Sequence, residues 1–335
     1  MPDAGYWMSG DRDGLAMQET SSGQPETRSY HKPVMLRECL EGLRIDPQGT
    51  YVDVTFGGGG HSLAILEQIK GGRLIAFDQD ADAQREAEKI NHRSFTFCPS
   101  NFRYLKKYLK MHGVSRVNGI LADLGVSSHQ IDSAQRGFST RFAGPLDMRM
   151  DARATLTAAT LLATYTEAQL HRVLGMYGEV RNARTVAQRI VEARARQPLT
   201  TTQQLTDLLK PLAPRGKEFK YFAQVFQALR LEVNQEMQAL EDFLHQCGEV
   251  MATGGRLVVM SYHSLEDRLV KNYINTGNVE GRLEKDFYGN ILRPFEAVNR
   301  KPIEATEEEI ENNNRARSAK LRIAERNESK VKEHE

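Results

Sequence analysis

The sequence has few cysteines, no long apolar run and almost no net charge. Its three cysteines, Cys39, Cys98 and Cys247, lie far apart in a chain of 335 residues. They predict neither a disulfide framework nor a zinc site, so we expect no catalytic metal and a reducing, cytoplasmic location. Because the formal net charge is +1, a nucleic-acid partner would have to bind a local basic patch.

No apolar run is long enough to cross a bilayer, so we expect no membrane association. Residues 1–28 are polar, contain several acids and lack the apolar segment of a secretory signal. We interpret them as a disordered N-terminal tail, and residues 327–335 as a charged C-terminal tail. The remaining composition, 40% hydrophobic and 27% charged over the whole chain, is that of an ordinary globular protein.

The most informative stretch is TYVDVTFGGGGHS, residues 50–62. An alternating, β-branched run ends at Phe56, four glycines follow, and His61 opens an apolar periodic segment. The predicted order is therefore strand, glycine turn and helix. Glycines at such a turn permit positive φ and let a ligand approach bare backbone at a helix N-terminus. Nucleotide-type pockets are built this way at the carboxyl ends of parallel strands.

Strands and helices alternate on both sides of one long helical segment. Further strands are predicted at 72–78, 94–98, 117–124 and 256–262, which indicates a parallel, doubly wound sheet. Residues 133–220 lack a strand pattern and predict an inserted all-helical domain, so the sheet domain is discontinuous, 29–132 and 221–326. Within its second part we predict one long helix over 222–244 and two last strands, 291–303 and 319–325, around a helix at 306–317.

Acids lie at three predicted strand ends, where this topology forms its ligand crevice. Asp53 could reach the ammonium group of S-adenosylmethionine, and Asp78 could accept both hydroxyls of a ribose. Asp123 would lie between cofactor and substrate. The structural alternatives are helix capping for Asp78, a role for which Asp80 and Asp82 are also placed, and bonding of backbone amides for Asp123.

The glycine pattern alone fits two cofactors. Gly58 and Gly60, with Asp78 about 20 residues further on, also suit a dinucleotide-binding unit. The third glycine of that motif is missing, because Leu63 occupies its place when Gly58 is counted as the first. Asp53 favours a methyltransferase, but a nicotinamide-dependent dehydrogenase stays open on these residues alone.

Several other candidates have simple structural alternatives. Phe102 could stack on an adenine or belong to the core below the sheet. His61 could contact the cofactor carboxylate or be exposed, and His263 could line the substrate side of the crevice. The basic segments 181–196 and 315–322 could hold phosphates or form solvated faces.

Nine segments together resemble one family, the bacterial small-subunit ribosomal RNA cytosine-N4 methyltransferases, known as RsmH or MraW. They are HKPVML (31–36), DVTFGGGGHS (53–62), FDQD (77–80), DLGVSSHQID (123–132), RGF (136–138), GPLDMRMD (144–151), FQALRLEVNQE (226–236), GGRLVVMSYHSLEDRLVK (254–271) and NNRARSAKLR (313–322). The resemblance extends over nearly the whole chain after residue 30. The sequence departs from the family at Gly58, where other members commonly carry an arginine or another residue, and in the short segment 275–290.

The resemblance implies a class I S-adenosylmethionine-dependent methyltransferase fold with an inserted helical domain. It implies that the cofactor S-adenosyl-L-methionine is bound by Gly59, Gly60, His61, Asp78, Phe102, Asp123 and Gln130. It also implies methylation of the N4 amine of a cytidine in the decoding region of 16S ribosomal RNA, with the assembled small ribosomal subunit as partner.

For catalysis we hypothesise that Asp123, or a neighbouring carbonyl, accepts a hydrogen bond from the cytosine amine. Tyr262 or His263 would orient the base or take the proton. A non-enzymatic alternative is a ribosome-assembly factor that keeps the cofactor fold without turnover. The sequence does not determine the oligomeric state, for which a homodimer is one option.

Overall fold

The computed structural model describes residues 33–328. The tail predicted at 1–28 lies outside this range, as does all of the C-terminal tail except Asn327 and Glu328. Within the described range, strands form one eight-stranded sheet. The strands are β1 (Thr50–Asp53), β2 (Arg73–Asp78), β3 (Phe95–Pro99), β4 (Val117–Asp123), β5 (Met251–Ser261), β6 (Phe295–Ala297), β7 (Ile303–Glu304) and β8 (Lys320–Arg326).

The α-helices occur in three groups along the chain. Four alternate with the first strands: α1 (Leu36–Leu43), α2 (Gly60–Gln68), α3 (Ala81–Ala87) and α4 (Leu105–Met111). Seven lie between β4 and β5: α5 (Ser128–Asp132), α6 (Ala158–Thr164), α7 (Glu167–Gly178), α8 (Ala183–Arg194), α9 (Thr202–Leu209), α10 (Glu218–Val233) and α11 (Glu236–Val250). The last two are α12 (Ser264–Thr276) and α13 (Glu307–Asn312).

The sheet has the strand order β3-β2-β1-β4-β5-β8-β6, and β7 also pairs with β8. The first five strands of this order are parallel, as predicted, whereas β8 is antiparallel to β5. The strand order reverses between β1 and β4, where the chain leaves in opposite directions. In doubly wound sheets a ligand crevice opens outside the carboxyl ends of the strands at this point.

The central strands are apolar because both faces of the sheet are covered. Val52, Ile75, Phe77 and Ile120 are fully buried, which is the pattern of a parallel sheet between helical layers. Each such side chain contributes on the order of 1.5–3 kcal/mol through burial. The sheet is therefore a rigid support for the residues at its carboxyl edge.

Short polar residues begin several helices, as expected from their sequence. Asp80 caps α3 by accepting a hydrogen bond from the Asp82 amide at 3.0 Å. Ser127, Thr166 and Thr201 begin α5, α7 and α9 in capping boxes, each with a glutamine three residues later. These caps fix where the chain turns beside the crevice and within the helical insertion.

Helices α6 to α10 pack around their own hydrophobic core. Leu161, Leu174, Ile190, Leu205 and Leu229 are fully buried in it. The predicted domain division ended the insertion at residue 220, but α10 supplies part of this helical core. We therefore propose that the insertion extends to Asn234, and the division into domains stays a prediction.

The prediction of one long helix over 222–244 is wrong, because α10 ends at Val233 and α11 begins at Glu236. Gln235 adopts a left-handed backbone conformation with φ 50°. Asn234 accepts a hydrogen bond from the Met150 amide at 2.7 Å and donates one to the Met148 carbonyl at 2.8 Å. The apolar period continues through the break, so the interruption was not visible in the pattern.

The predicted strand over 291–303 is also wrong. Two short strands, β6 and β7, replace it, and both pair with β8. Between them the Asn299 side chain bonds the β8 backbone, accepting from the Ile323 amide at 2.7 Å and donating to the Leu321 carbonyl at 3.2 Å. The predicted helix over 306–317 is confirmed in its first half by α13, and a 3₁₀ turn follows.

The three cysteines are buried and free. In residues 33–328, no group of three or more His, Cys, Asp or Glu side chains is arranged to hold a metal ion. No helix in the same range combines the length and apolarity needed to span a membrane.

Candidate active site

The glycine turn joins β1 to α2 at the carboxyl edge of the sheet. Gly57 and Gly59 have φ of 53° and 82°, values that favour glycine. A Cβ on Gly59 would lie 2.7 Å from the Phe56 ring, and one on Gly60 would lie 2.3 Å from Pro33. The turn therefore depends on residues without side chains and leaves its backbone open to a ligand.

Asp78, at the end of β2, lies directly beside this turn. Its carboxylate accepts hydrogen bonds from the Gly57 amide at 2.8 Å and from the Asp80 amide at 2.9 Å. Burial raises the pKa of Asp78 to about 6, against the opposing effect of these two amides. Because Asp80 caps α3, the capping alternative for Asp78 does not apply, and its carboxylate is a candidate ribose acceptor.

Asp123, at the end of β4, is the centre of a partly buried polar cluster. It accepts a hydrogen bond from the Tyr262 hydroxyl at 2.7 Å, and its second oxygen lies 3.9 Å from His61 Nδ1. The Thr55 hydroxyl accepts from the Asp123 amide at 2.6 Å, which joins the ends of β1 and β4. Burial raises the pKa of Asp123 to about 6, while His61 and the Tyr262 hydroxyl act in the opposite direction.

His61 and Asp53 complete the floor of the cluster. His61 is 6% exposed, so the alternative of an exposed histidine is wrong. Its Nε2 lies 3.1 Å from the Val34 carbonyl, which holds the ring in place. Asp53 accepts from the Ser62 hydroxyl at 2.7 Å and from the Thr55 amide at 3.0 Å.

A cleft of about 420 Å³, including its open part, lies above these strand ends. Thr55, Leu124 and Gly125 line one side, and Phe102 lines another. The Phe102 ring also packs edge-on against Phe243, with centroids 5.4 Å apart. One part of the Phe102 ring therefore faces the cleft and another joins the core, and stacking on an adenine stays a prediction.

Gln130 lies at the edge of this region, with both ends of its amide engaged. Its oxygen accepts from the Ser127 amide at 3.0 Å in the α5 capping box, and its nitrogen donates to Asp80 at 2.6 Å. Gln130 is thus linked to the cofactor side through Asp80, two residues after Asp78. Gln130 therefore acts on the crevice indirectly, by supporting the β2–α3 turn.

Arg136 binds the same turn to the helical insertion. It donates to Asp80 at 2.7 Å and 3.2 Å and to Asp82 at 2.9 Å. It also donates to the carbonyls of Arg149 at 3.0 Å and Met150 at 3.3 Å. Since Met150 lines the cleft, this one guanidinium positions two walls of the site.

His263 caps α12, with the Glu266 amide donating to its Nδ1 at 3.4 Å. Its Nε2 lies 3.1 Å from a Glu266 carboxylate oxygen, at an angle unsuited to a hydrogen bond. Burial would raise the pKa of Glu266, but His263, Arg230 and the Tyr262 amide bring it below the ordinary value. The Nδ1 of His263 is therefore engaged in the helix cap.

Sequence reasoning missed Glu236 and Glu266, which both line the cleft. Glu236 pairs with Arg230 through contacts of 2.8 Å and 3.0 Å. Burial raises the pKa of Glu236, and Arg230 opposes that effect. Each acid lies in the first turn of a helix, where acids are common for electrostatic reasons alone, so no local signal distinguished them.

The site fits S-adenosylmethionine in its form and its donor set. It offers a bare glycine turn, a carboxylate at the end of β2, and an apolar wall that includes Phe102. Together with the reversal of strand order between β1 and β4, these features define a class I S-adenosylmethionine-dependent methyltransferase with an inserted helical domain.

Comparisons with known proteins agree with this class. The model of the MraW methylase family matches residues 28–327. Ribosomal RNA small subunit methyltransferase H of Cytophaga hutchinsonii is 58% identical over 89% of this chain and 99% of its own length. The protein of the same name from Bacteroides thetaiotaomicron is 55% identical over 89% of this chain and 98% of its own length.

The chain belongs to the MraW methylase family. Among solved structures, an rRNA methylase from Streptococcus thermophilus is 11% identical, with a TM-score of 0.39 over 87% of this chain and 93% of that chain. Family membership confirms the resemblance noted from the sequence segments. It also decides between the two cofactors left open by the glycine turn, in favour of a methyltransferase.

Proposed function

We propose that this protein transfers a methyl group from S-adenosyl-L-methionine to the N4 amine of a cytidine in the decoding region of 16S ribosomal RNA. The observation that carries the proposal is the pair Asp123–Tyr262, a partly buried carboxylate and phenol joined at 2.7 Å where β4 and β5 end. The names of the relatives from Cytophaga and Bacteroides support the substrate class, since both are ribosomal RNA small subunit methyltransferases.

We assign cofactor binding to the residues around the glycine turn and along the cleft. They are Gly59, Gly60, His61, Asp78, Phe102, Asp123 and Gln130. When bound, S-adenosylmethionine supplies an electrophilic methyl group on its sulfonium. Asp78 would hold the ribose hydroxyls, and the turn would hold the methionine part near α2, whose N-terminal amides favour a carboxylate.

The target amine needs precise positioning, because its lone pair is delocalised into the cytosine ring. Asp123 would accept a hydrogen bond from the amine and take its proton, for which a pKa of about 6 is well suited. Positioning of this kind can contribute on the order of 7–11 kcal/mol to a reaction barrier. The base must also be unstacked to enter the cleft.

Tyr262 and His263 are assigned supporting roles. The pKa of Tyr262 is raised well above its ordinary value by burial and by Asp123, so its hydroxyl stays a donor and orients the Asp123 carboxylate. His263 would orient the loop before α12 through its cap. Of the three catalytic candidates, we assign the role of proton acceptor to Asp123 alone.

The substrate would be the small ribosomal subunit in the cytoplasm. The experiment is transfer of labelled methyl groups to small subunits from a strain without this protein, followed by nucleoside analysis. Label in N4-methylcytidine at one decoding-region position is expected. Label in another base would overturn the substrate assignment, and binding without transfer would favour the assembly-factor alternative.

A further inference from the structure

We propose that a surface along α12, ending in an aromatic hairpin, binds a single-stranded segment of the ribosomal RNA outside the active site. This surface, here the α12 flank, consists of Lys271, Asn275, Arg300, Phe287 and Tyr288. The choice of ribosomal RNA as the ligand of this surface rests on the proposed function. It adds a second point of contact that recognises unpaired bases by stacking.

The α12 flank is connected directly to the active site. Helix α12 begins at Ser264, next to the capping residue His263, and its 13 residues make it about 20 Å long. Its first turn is tied to β8, because Arg322 donates to Asp267 at 2.7 Å and 3.1 Å. The helix therefore leads rigidly away from the catalytic residues.

A basic cleft lies along this helix. It has a volume of about 220 Å³, including its open part, and Lys271, Asn275 and Arg300 line it together with Arg322. Lys271 and Arg300 are exposed, and within residues 33–328 neither has a carboxylate in ion-pair contact, unlike Arg322. Two free cations in one cleft provide sites for phosphates.

The hairpin, residues 280–293, is attached to the far end of α12. Arg293 donates to the Asn275 carbonyl at 3.3 Å, and the Leu292 amide donates to the Glu284 carbonyl at 2.8 Å. At the tip, Asp286 accepts from the amides of Tyr288 and Asn290, each at 2.9 Å. The tip is thus built by its own hydrogen bonds.

This ordered tip presents two aromatic rings to solvent. Phe287 is 98% exposed and Tyr288 is 84% exposed. The rings contact each other edge-on, with centroids 5.7 Å apart. Because both are so exposed, neither contributes to the hydrophobic core. Proteins hold unpaired bases with exposed aromatic rings in combination with a basic groove, since every base has a face that can stack.

The charges indicate that the hairpin and the basic cleft contribute differently to RNA binding. The hairpin segment carries equal numbers of acids and bases, Glu280, Glu284 and Asp286 against Arg282, Lys285 and Arg293. It therefore supplies stacking rather than attraction to phosphates. The cations of the cleft along α12 supply the attraction, which favours RNA over a second copy of this nearly neutral chain.

The test compares Phe287→Ala/Tyr288→Ala and Lys271→Gln/Arg300→Gln with the full-length protein, by direct binding to small ribosomal subunits and by steady-state kinetics. The aromatic variant should weaken subunit binding and raise the KM for subunits by on the order of tenfold to a hundredfold. The KM for S-adenosylmethionine and the thermal midpoint should not change. The charge variant should lower the slope of log affinity against log salt by about 1.4.

Two matched variants control for surface changes. Met176→Ala removes another exposed apolar side chain, and Lys70→Gln/Arg93→Gln removes two exposed cations far along the chain. Neither should alter subunit binding. Unchanged binding by the aromatic variant would overturn the proposal, as would loss of a dimer in sedimentation, which would assign the rings to a second copy.

Failure of this proposal is separable from failure of the proposed function. If nucleoside analysis finds no N4-methylcytidine but the aromatic variant still binds subunits weakly, the surface stands and the reaction assignment falls. If N4-methylcytidine forms with an unaltered KM in the aromatic variant, the reaction stands and the surface falls.

Discussion

At the scale of single residues, the site is a set of carboxylates held in a poorly hydrated place. Asp53 and Asp123 end neighbouring strands, and burial raises the pKa of each. Charged groups of this kind cost folding free energy unless they are paired. We therefore propose that the cluster is retained for its chemistry, as is common where function and stability conflict.

Asp123→Asn should abolish most transfer and stabilise the fold. The pKa of Asp123 in the folded protein is about 6, above the ordinary 3.8. Asp123 therefore does not lower the free energy of unfolding below pH 3.8, where it is protonated in both states. It lowers that free energy progressively as the pH rises from 3.8 to about 6. The variant should gain at most about 3 kcal/mol over the parent at pH 7 and nothing near pH 3.8. Denaturant unfolding against pH measures this.

Protonation of Asp123 should also set the acid limb of the profile of turnover against pH. Turnover of the parent protein at saturating cofactor should decrease below about pH 6 with a single protonation, because the carboxylate must be ionised to accept a proton. The variant should lose about 10²–10⁴ in turnover even at saturating cofactor. Full turnover in Asp123→Asn would remove the catalytic assignment.

At the scale of elements, segments between β4 and β5 form part of the cleft wall. Arg136 follows α5 and joins the cap of α3 to the segment that carries Met150. Asn234, at the break between α10 and α11, holds that segment from the other side. The walls of the cleft are thus joined by contacts between residues 56 and 84 positions apart in the chain.

Arg136→Met should weaken cofactor binding more than it slows the chemical step. It removes five hydrogen bonds and leaves Asp80, whose pKa Arg136 helps to lower despite burial, without its cation. We expect a rise of about tenfold in Kd for the cofactor, measured by calorimetry, with smaller loss of turnover at saturation. Arg136→Lys should restore part of the affinity.

The matched control is Arg153→Met. Arg153 is exposed and pairs with Asp151, so its loss should leave cofactor affinity unchanged. Equal affinities in Arg136→Met and the parent protein would show that the walls hold without this contact.

At the scale of the whole molecule, the sheet is completed by the end of the chain. β8 lies between β5 and the short strands β6 and β7. Its residues Leu321, Ile323 and Ala324 are buried. The last strand therefore covers an edge of β5 that would otherwise expose unpaired backbone groups.

A chain that ends after Ser318 should not fold, because it lacks β8 and leaves β6 and β7 without a partner. Circular dichroism and sedimentation should show an unfolded or aggregated protein. A chain that ends after Glu328 retains every described strand and should keep the thermal midpoint of the parent. A soluble, cooperative fold without β8 would contradict the role given to it.

Much of the parallel half of the sheet could be predicted, because buried strands and capped helices leave local patterns. The acids at the ends of β1, β2 and β4 follow from the same patterns. The break at Asn234–Gln235 and the division between β6 and β7 could not be predicted, because side chains from distant segments impose them. The burial of His61 has the same origin, since it depends on Val34.

The sequence by itself determined the fold class, the glycine turn and the family, because these reside in short segments whose order along the chain is fixed. Only the tertiary structure decided how the functional groups are used. In the folded chain His263 caps α12, and the Tyr262 hydroxyl donates a hydrogen bond to Asp123. Glu236 and Glu266 line the same cleft. Such roles depend on distances between residues far apart in the chain, which a linear pattern does not contain.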